Sequence, residues 1–147
     1  MIIIGYQGIG KSSCAGKDNC IDLESGNFWI DGMRHDDWYI TYAKIANHLS
    51  EQGYTVFVSS HEVVRKELEK SNEKVYIIHP SIYLKEDWIK RLQERYDRTG
   101  TEKDLKALAN AKDRYVENIM ELKMSNIKNI EISNIDYDLR DIIKTLN

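Results

Sequence analysis

Apolar residues fall along this chain in short runs separated by stretches of helical periodicity. The runs are the isoleucines of "MIII" at 2–4, "CIDLE" at 20–24, "YTVFVSS" at 54–60, "KVYII" at 74–78 and "IEI" at 130–132, and each predicts a strand. Between the second and third, Trp38, Tyr42, Ile45, Ala46 and Leu49 recur at the spacing of one helix face and stop before Gly53, a natural helix end. After the third, Ser59 and Glu62 have capping-box separation ahead of Val63, Val64 and Leu68. Three further helices follow from Trp88, Ile89, Leu92 and Tyr96; from Leu105, Leu108, Tyr115, Ile119 and Leu122; and from Leu139, Ile142, Ile143 and Leu146. Strands alternating with helices predict an α/β fold with a parallel sheet covered on both faces and joined by right-handed crossovers. Ligands of such sheets bind at the carboxyl ends of the strands.

The chain has 147 residues, 41% hydrophobic and 31% charged, enough for one domain over 1–147, and its single proline, Pro80, marks no linker. No stretch of eighteen apolar residues is present, and Met1 leads into a core strand without the charged region and cleavage site of a signal peptide. A cytoplasmic protein without a membrane partner is expected. Cys14 and Cys20 have no metal-site spacing and read as reduced thiols. A net charge of −3 leaves no basic footprint for broad nucleic-acid binding, so any anion site must be local.

One local site stands out. Gly5-Tyr-Gln-Gly-Ile-Gly10-Lys11-Ser12 fits G-x-x-x-x-G-K-[ST] and follows a buried strand, where backbone N–H groups can turn around phosphate oxygens. Gly5, Gly8, Gly10, Lys11, Ser12 and Ser13 are the expected contacts to a nucleotide, with Lys11 on its β- and γ-phosphates and the Ser12 hydroxyl on Mg²⁺. The bland alternative is a glycine-rich turn after an edge strand. The following helix is expected to be very short, because Gly16-Lys-Asp-Asn19 ends it before the second strand.

Asp22 and Glu24 are two apart, so on a strand they share a face near the edge where the loop opens. The third strand ends in serines, not an acid, which leaves Asp22 as the candidate for holding Mg²⁺ or activating an acceptor. The competing reading is ordinary strand-end acids paired with Lys17 or Arg34. In "SGNFWIDGMRHDDWY", Phe28, Trp29 and Arg34 suit a planar base and a phosphate, while Trp38 reads as core and Asp36 or Asp37 as a helix cap. His35 among Asp31, Asp36 and Asp37 lacks metal-binding spacing, so no transition-metal site is expected. His61 and Arg65, after the third strand, are candidate substrate contacts. Arg91, Arg95 and Arg98 recur along one helix and could clamp moving phosphoryl oxygens or form a solvated face paired with Glu94 and Asp97. Arg98-Thr-Gly100 before a charged Thr101–Asp104 reads as the hinge of a lid over 85–104.

With these parts in order, the chain resembles the P-loop kinases of small molecules, the group of nucleoside monophosphate, shikimate and gluconate kinases. The resemblance is architectural over the whole chain and motif-specific at the phosphate loop. "VFVSSHEVVRKEL" looks like the third-strand region of these enzymes, and "VYIIHPSIYLKEDWIKRLQERY" like their fourth strand and arginine-bearing lid. It implies a three-layer P-loop NTPase fold with sheet order 2-3-1-4-5, loop roles for Gly5, Gly10, Lys11 and Ser12, and lid roles for Arg91 and Arg95. Proteins of this kind also look like ones encoded by bacteriophages, which would act in the host cytoplasm. The expected activity is phosphoryl transfer from ATP–Mg²⁺ to a small acceptor, foremost a nucleoside or deoxynucleoside monophosphate. A hydroxyl acceptor, a nucleoside or sugar acid with Asp22 as base, is the second expectation. A nucleotide-binding regulator without turnover is the third, favoured by the serine-ended third strand.

Overall fold

Ile2, Ile3 and Ile4 have no exposed surface, so β1 (Ile2–Gly5) must lie inside a sheet covered on both faces. In the structure, a computed structural model that describes all of residues 1–147, β1 pairs in parallel with β3 (Thr55–Val58) and β4 (Val75–Pro80). The short β2 (Cys20–Asp22) adds outside β3, and β5 (Lys128–Ile132) outside β4. The sheet is fully parallel in the order β2-β3-β1-β4-β5, as expected, and each predicted run contributes one strand. The order reverses at β1, which opens a crevice at its carboxyl end.

Five helices connect the strands, α1 (Lys11–Cys14), α2 (Trp38–Glu51), α3 (Glu62–Leu68), α4 (Lys85–Thr99) and α5 (Glu102–Lys123), and α6 (Leu139–Leu146) follows the last. α1 is a single turn, in keeping with the closing signals at Gly16–Asn19. Trp38 and Tyr42 of α2, Trp88 and Leu92 of α4, and Leu108, Tyr115 and Ile119 of α5 join one apolar core with the strands. Cys14 and Cys20 are free and buried within it. No helix is long and apolar enough to cross a membrane.

Three local expectations are corrected. β2 ends at Asp22 rather than residue 24, because the chain turns into a 3₁₀ helix at Ser25–Phe28. The Ser59–Glu62 capping box does not form: His61 occupies the cap position of α3, the Ser59 hydroxyl bonds His61 Nδ1 at 2.6 Å, and Glu62 pairs with Lys66 at 2.9 Å. Asp37 precedes α2 without bonding a helix N–H through its side chain. The segment before α2 also holds a tight hairpin, Ile30 to Met33, whose Asp31-Gly32 corner takes φ of 50° and 76°.

The α4–α5 connection is closed from both sides. Gly100, at φ 62°, donates to the Tyr96 carbonyl at 2.7 Å, and the Thr101 hydroxyl accepts from Asp104 N at 3.2 Å. Residues 85–104 are therefore α4 and the first turn of α5, two helices packed along each other.

Candidate functional site

The turn after β1 is held from behind. The Trp88 indole donates to the Gln7 carbonyl at 2.9 Å, and the Tyr137 hydroxyl donates to the Ile9 carbonyl at 2.5 Å, the two rings stacking 6.1 Å apart. Every peptide bond is trans, so the N–H groups of Gly8 and Gly10 point opposite to these carbonyls, away from both rings. The backbone N–H groups of Gly8, Gly10, Lys11 and Ser12 donate to no protein acceptor, while those of Ile9 and Ser13 bond within the turn. Gly8, at φ 86°, disfavours a side chain: a Cβ there would lie 2.9 Å from Leu92 Cδ2 and 3.3 Å from the indole nitrogen of Trp88. At Gly5 a Cβ would fall 2.4 Å from Ile9 Cδ1. Gly5 thus makes room for the turn and does not line the cavity in front of it.

That cavity, of about 710 Å³, is lined by Gly8, Gly10, Lys11 and Ser12 on one side and Asp22, Glu24, Trp29 and Arg34 on another. Arg95, Glu102, Lys103, Asp104 and Lys106 from α4 and the start of α5 add further charged groups to its lining. Most of its charges cancel locally: Arg95 pairs with Asp104 at 3.0 Å, Lys103 with Glu24 at 2.9 Å, and Lys106 with Glu102 at 3.3 Å. Lys11, Asp22 and Arg34 remain without an ion-pair partner. Glu24 is thus paired, with Lys103 rather than Lys17 or Arg34, whereas the Asp22 carboxylate has neither an ion pair nor a hydrogen bond.

The electrostatics follow from burial. Desolvation lowers the Lys11 pKa, with Asp22 opposing, and raises the Asp22 pKa, with Lys11 opposing. Asp104 behaves otherwise: burial pushes its carboxyl up, but the hydroxyls of Thr99 and Thr101 and the Arg95 charge bring it below the usual range. Arg34 is held by faces rather than charges, its guanidinium carbon 3.9 Å from the Trp38 ring centre and 4.7 Å from that of Trp29. Partial burial and the Arg34 charge lower the His61 pKa, favouring the neutral imidazole.

The other candidates divide. Phe28 packs against Trp38 and Tyr42 and lies outside the cavity, since the 3₁₀ turn directs it to the core. Arg91 and Arg95 line different cavities that meet at Gly10. Arg91 lies beyond the turn in a separate cavity of about 270 Å³ with Ser13, Tyr137 and Arg140, 5.1 Å from the Trp88 ring and 5.3 Å from that of Tyr137. Arg98 is exposed and lines neither. Arg65 lines a third cavity, which His61 shares with the central one. No group of three His, Cys, Asp or Glu side chains could hold a metal unaided.

Sequence reasoning missed Gln7, Lys103, Lys106 and Asn110 as lining residues. Gln7 occupies a variable position of the loop pattern, where no residue type is demanded. The α5 residues lie more than 80 positions from Asp22 and carry only the signal of polar residues on the polar side of an amphipathic helix. No family model matches this chain, and no curated protein matches it.

Proposed function

We propose that the chain is a phosphotransferase that moves the terminal phosphoryl group of ATP to a small acceptor, foremost a nucleoside or deoxynucleoside monophosphate, in the cytoplasm. One observation carries this reading. The partnerless backbone donors of the Gly5–Ser12 loop and the unpaired Lys11 line the same cavity as two other unpaired ionic groups, Asp22 and Arg34. An anion on the loop replaces lost hydration at those N–H groups, and Lys11 neutralises its outer charge. Arg34 offers its guanidinium edge to the acceptor's phosphate while the flanking tryptophans hold its plane. Arg95, anchored to Asp104 through Nε, offers its remaining guanidinium N–H groups where the phosphoryl group moves, and chemistry of this type consists mostly of positioning and charge neutralisation. On this reading Arg91, Tyr137 and Arg140 offer the donor's base a stacking edge, and the α4–α5 hairpin acts as the lid.

The residues also fit a magnesium ion. The Ser12 hydroxyl has no protein partner, Asp22 lines the same cavity, and Mg²⁺ accepts one or two protein ligands with water and phosphate oxygens at its remaining positions. Bound there, it would withdraw charge from the phosphate oxygens. A second reading, transfer to a hydroxyl, is favoured by Asp22 itself: a partnerless carboxylate with a raised pKa is suited to take the hydroxyl proton.

The test is ATP consumption with monophosphates, nucleosides, sugar acids or no acceptor. Stimulation of at least a hundredfold by a monophosphate is expected. Stimulation by hydroxyl compounds alone selects the second reading. ATP binding with no stimulation by any acceptor overturns phosphoryl transfer and leaves a nucleotide-binding regulator.

A further inference from the structure

The central cavity continues into a second lobe of about 380 Å³, and the two share Gln7, His61 and Asn110. The lobe lies between the start of α3 and the face of α5 that carries Asn110, Asn118 and Glu121. Its polar groups differ in kind from those of the central cavity. Charge there is compensated: Glu62 pairs with Lys66, and Glu121 stands 3.9 Å from Arg65 and 3.6 Å from Arg114. Arg65 also donates through Nε to the Ser60 carbonyl at 3.0 Å. A phosphate would find no free cation in the lobe, whereas Lys11 and Arg34 are free next door.

The lobe offers neutral hydrogen-bonding groups instead. Asn110 Oδ1 accepts from Asn118 Nδ2 at 2.6 Å and from Gln7 Nε2 at 3.3 Å, and Gln7 Nε2 also reaches the Ala107 carbonyl at 3.1 Å. This chain orients all three carboxamides and leaves Asn110 Nδ2, Asn118 Oδ1 and Gln7 Oε1 unused, one donor group and two acceptors. Beside them is Tyr6, only 3% exposed, its ring fixed edge-on against Trp88 and Tyr115. Its hydroxyl is buried with no hydrogen-bond partner, although the amides of Gln7 and Asn118 are near enough to influence it. A buried orphan hydroxyl is costly, and a ligand that bonds it recovers that cost.

We propose that this lobe is the acceptor's recognition subsite and that it reads the hydrogen-bonding edge of a nucleobase. A base edge alternates donors and acceptors and carries no charge, which matches the oriented carboxamides, the Tyr6 hydroxyl and the compensated ions. The acceptor's phosphate or sugar hydroxyl then lies in the central cavity, and Gln7 and Asn110 line the passage between. Asn118 and Tyr6 set base preference, and acceptors without a base are disfavoured. The assignment rests on the phosphotransferase reading for its catalytic consequence, but binding tests it separately.

The test is calorimetric titration of the protein, saturated with a non-hydrolysable ATP analogue and Mg²⁺. The probes are deoxynucleosides and deoxynucleoside monophosphates of all four bases, with ribose 5-phosphate as the probe lacking a base. One base is expected to bind at least tenfold more tightly than the others and than ribose 5-phosphate. Asn118→Leu is expected to erase that preference, Asn118→Asp to reorder it and Tyr6→Phe to weaken the preferred base severalfold, all with unchanged affinity for the ATP analogue. Binding of no base-bearing probe, binding equal to that of ribose 5-phosphate, or a preference that survives both Asn118→Leu and Tyr6→Phe overturns the assignment. Base preference without transfer in the ATP-consumption assay keeps the subsite and rejects the phosphotransferase. Transfer without base preference does the reverse.

Discussion

Asp22 is the residue on which chemistry and stability pull in opposite directions. Its pKa is raised by burial, so the folded state holds the proton more tightly than the unfolded chain does. Stability therefore falls as pH rises from the ordinary carboxylate value through the raised one, and at neutral pH the ionised group is a net cost. Asp22→Asn is expected to stabilise the fold by about 1 kcal/mol in urea denaturation near neutral pH, and to abolish ATP turnover. Lys11 has the mirror-image shift, lowered by burial. If turnover needs ionised Asp22 and protonated Lys11, its rate rises with pH through a pKa above the usual carboxylate range and falls through one below that of an ordinary lysine. A pH–rate profile checks both limbs, and the absence of a falling limb before ordinary lysine titration would contradict the role of Lys11. Lys11→Ala is expected to weaken ATP about tenfold to a hundredfold, the worth of a charge-assisted hydrogen bond, with its far-UV circular dichroism unchanged.

Among the elements, α4 determines the shape of the Gly5–Ser12 loop as much as the loop's own glycines do. Trp88 is fully buried and its indole N–H satisfies the Gln7 carbonyl, which keeps the adjoining Gly8 N–H turned away from the helix. Trp88→Phe retains an aromatic ring but leaves that carbonyl unpaired. A loss of about 1–3 kcal/mol in denaturant unfolding is expected, together with weaker ATP binding. Gly8→Ala meets the same helix from the other direction: a left-handed φ and the contact with Leu92 are expected to cost about 1–2 kcal/mol. If Gly8→Ala kept wild-type stability, the close approach of loop and helix would be wrong. The sequence pattern marked Trp88 as part of an apolar stripe, but no periodicity reveals which carbonyl an indole bonds.

For the molecule as a unit, the central cavity couples segments remote in sequence, because Lys103 of α5 pairs with Glu24 beyond β2 and Arg95 of α4 faces the β1 loop. A ligand that spans these parts should stabilise the fold as one body. ATP–Mg²⁺ at a hundred times its dissociation constant is expected to add about 2.7 kcal/mol, which for a domain of this size is roughly 5–10 °C in Tm. The shift is expected to shrink with EDTA and to fall to about 0.4–1.4 kcal/mol in Lys11→Ala at the same ATP concentration. Differential scanning fluorimetry measures it, and a full shift in Lys11→Ala would reject the loop as the binding site.

The strand positions, their alternation with helices, the brevity of α1 and the glycine-lysine loop were legible along the chain, because they depend on periodicity and on backbone conformations that few residues adopt. The Asp31-Gly32 turn was equally local and could have been read from its two residues. What needed the folded chain was the pairing of charges. Asp22 and Glu24 look alike two positions apart, yet Lys103 arrives from α5 to neutralise only Glu24, and Asp104 engages Arg95 while Arg91 is carried to another cavity. Phe28 and Trp29 are neighbours, yet one 3₁₀ turn sends the first to the core and the second to the cavity. Charge and contact depend on distance in space, and a linear pattern encodes only the local geometry that brings such groups within reach of one another.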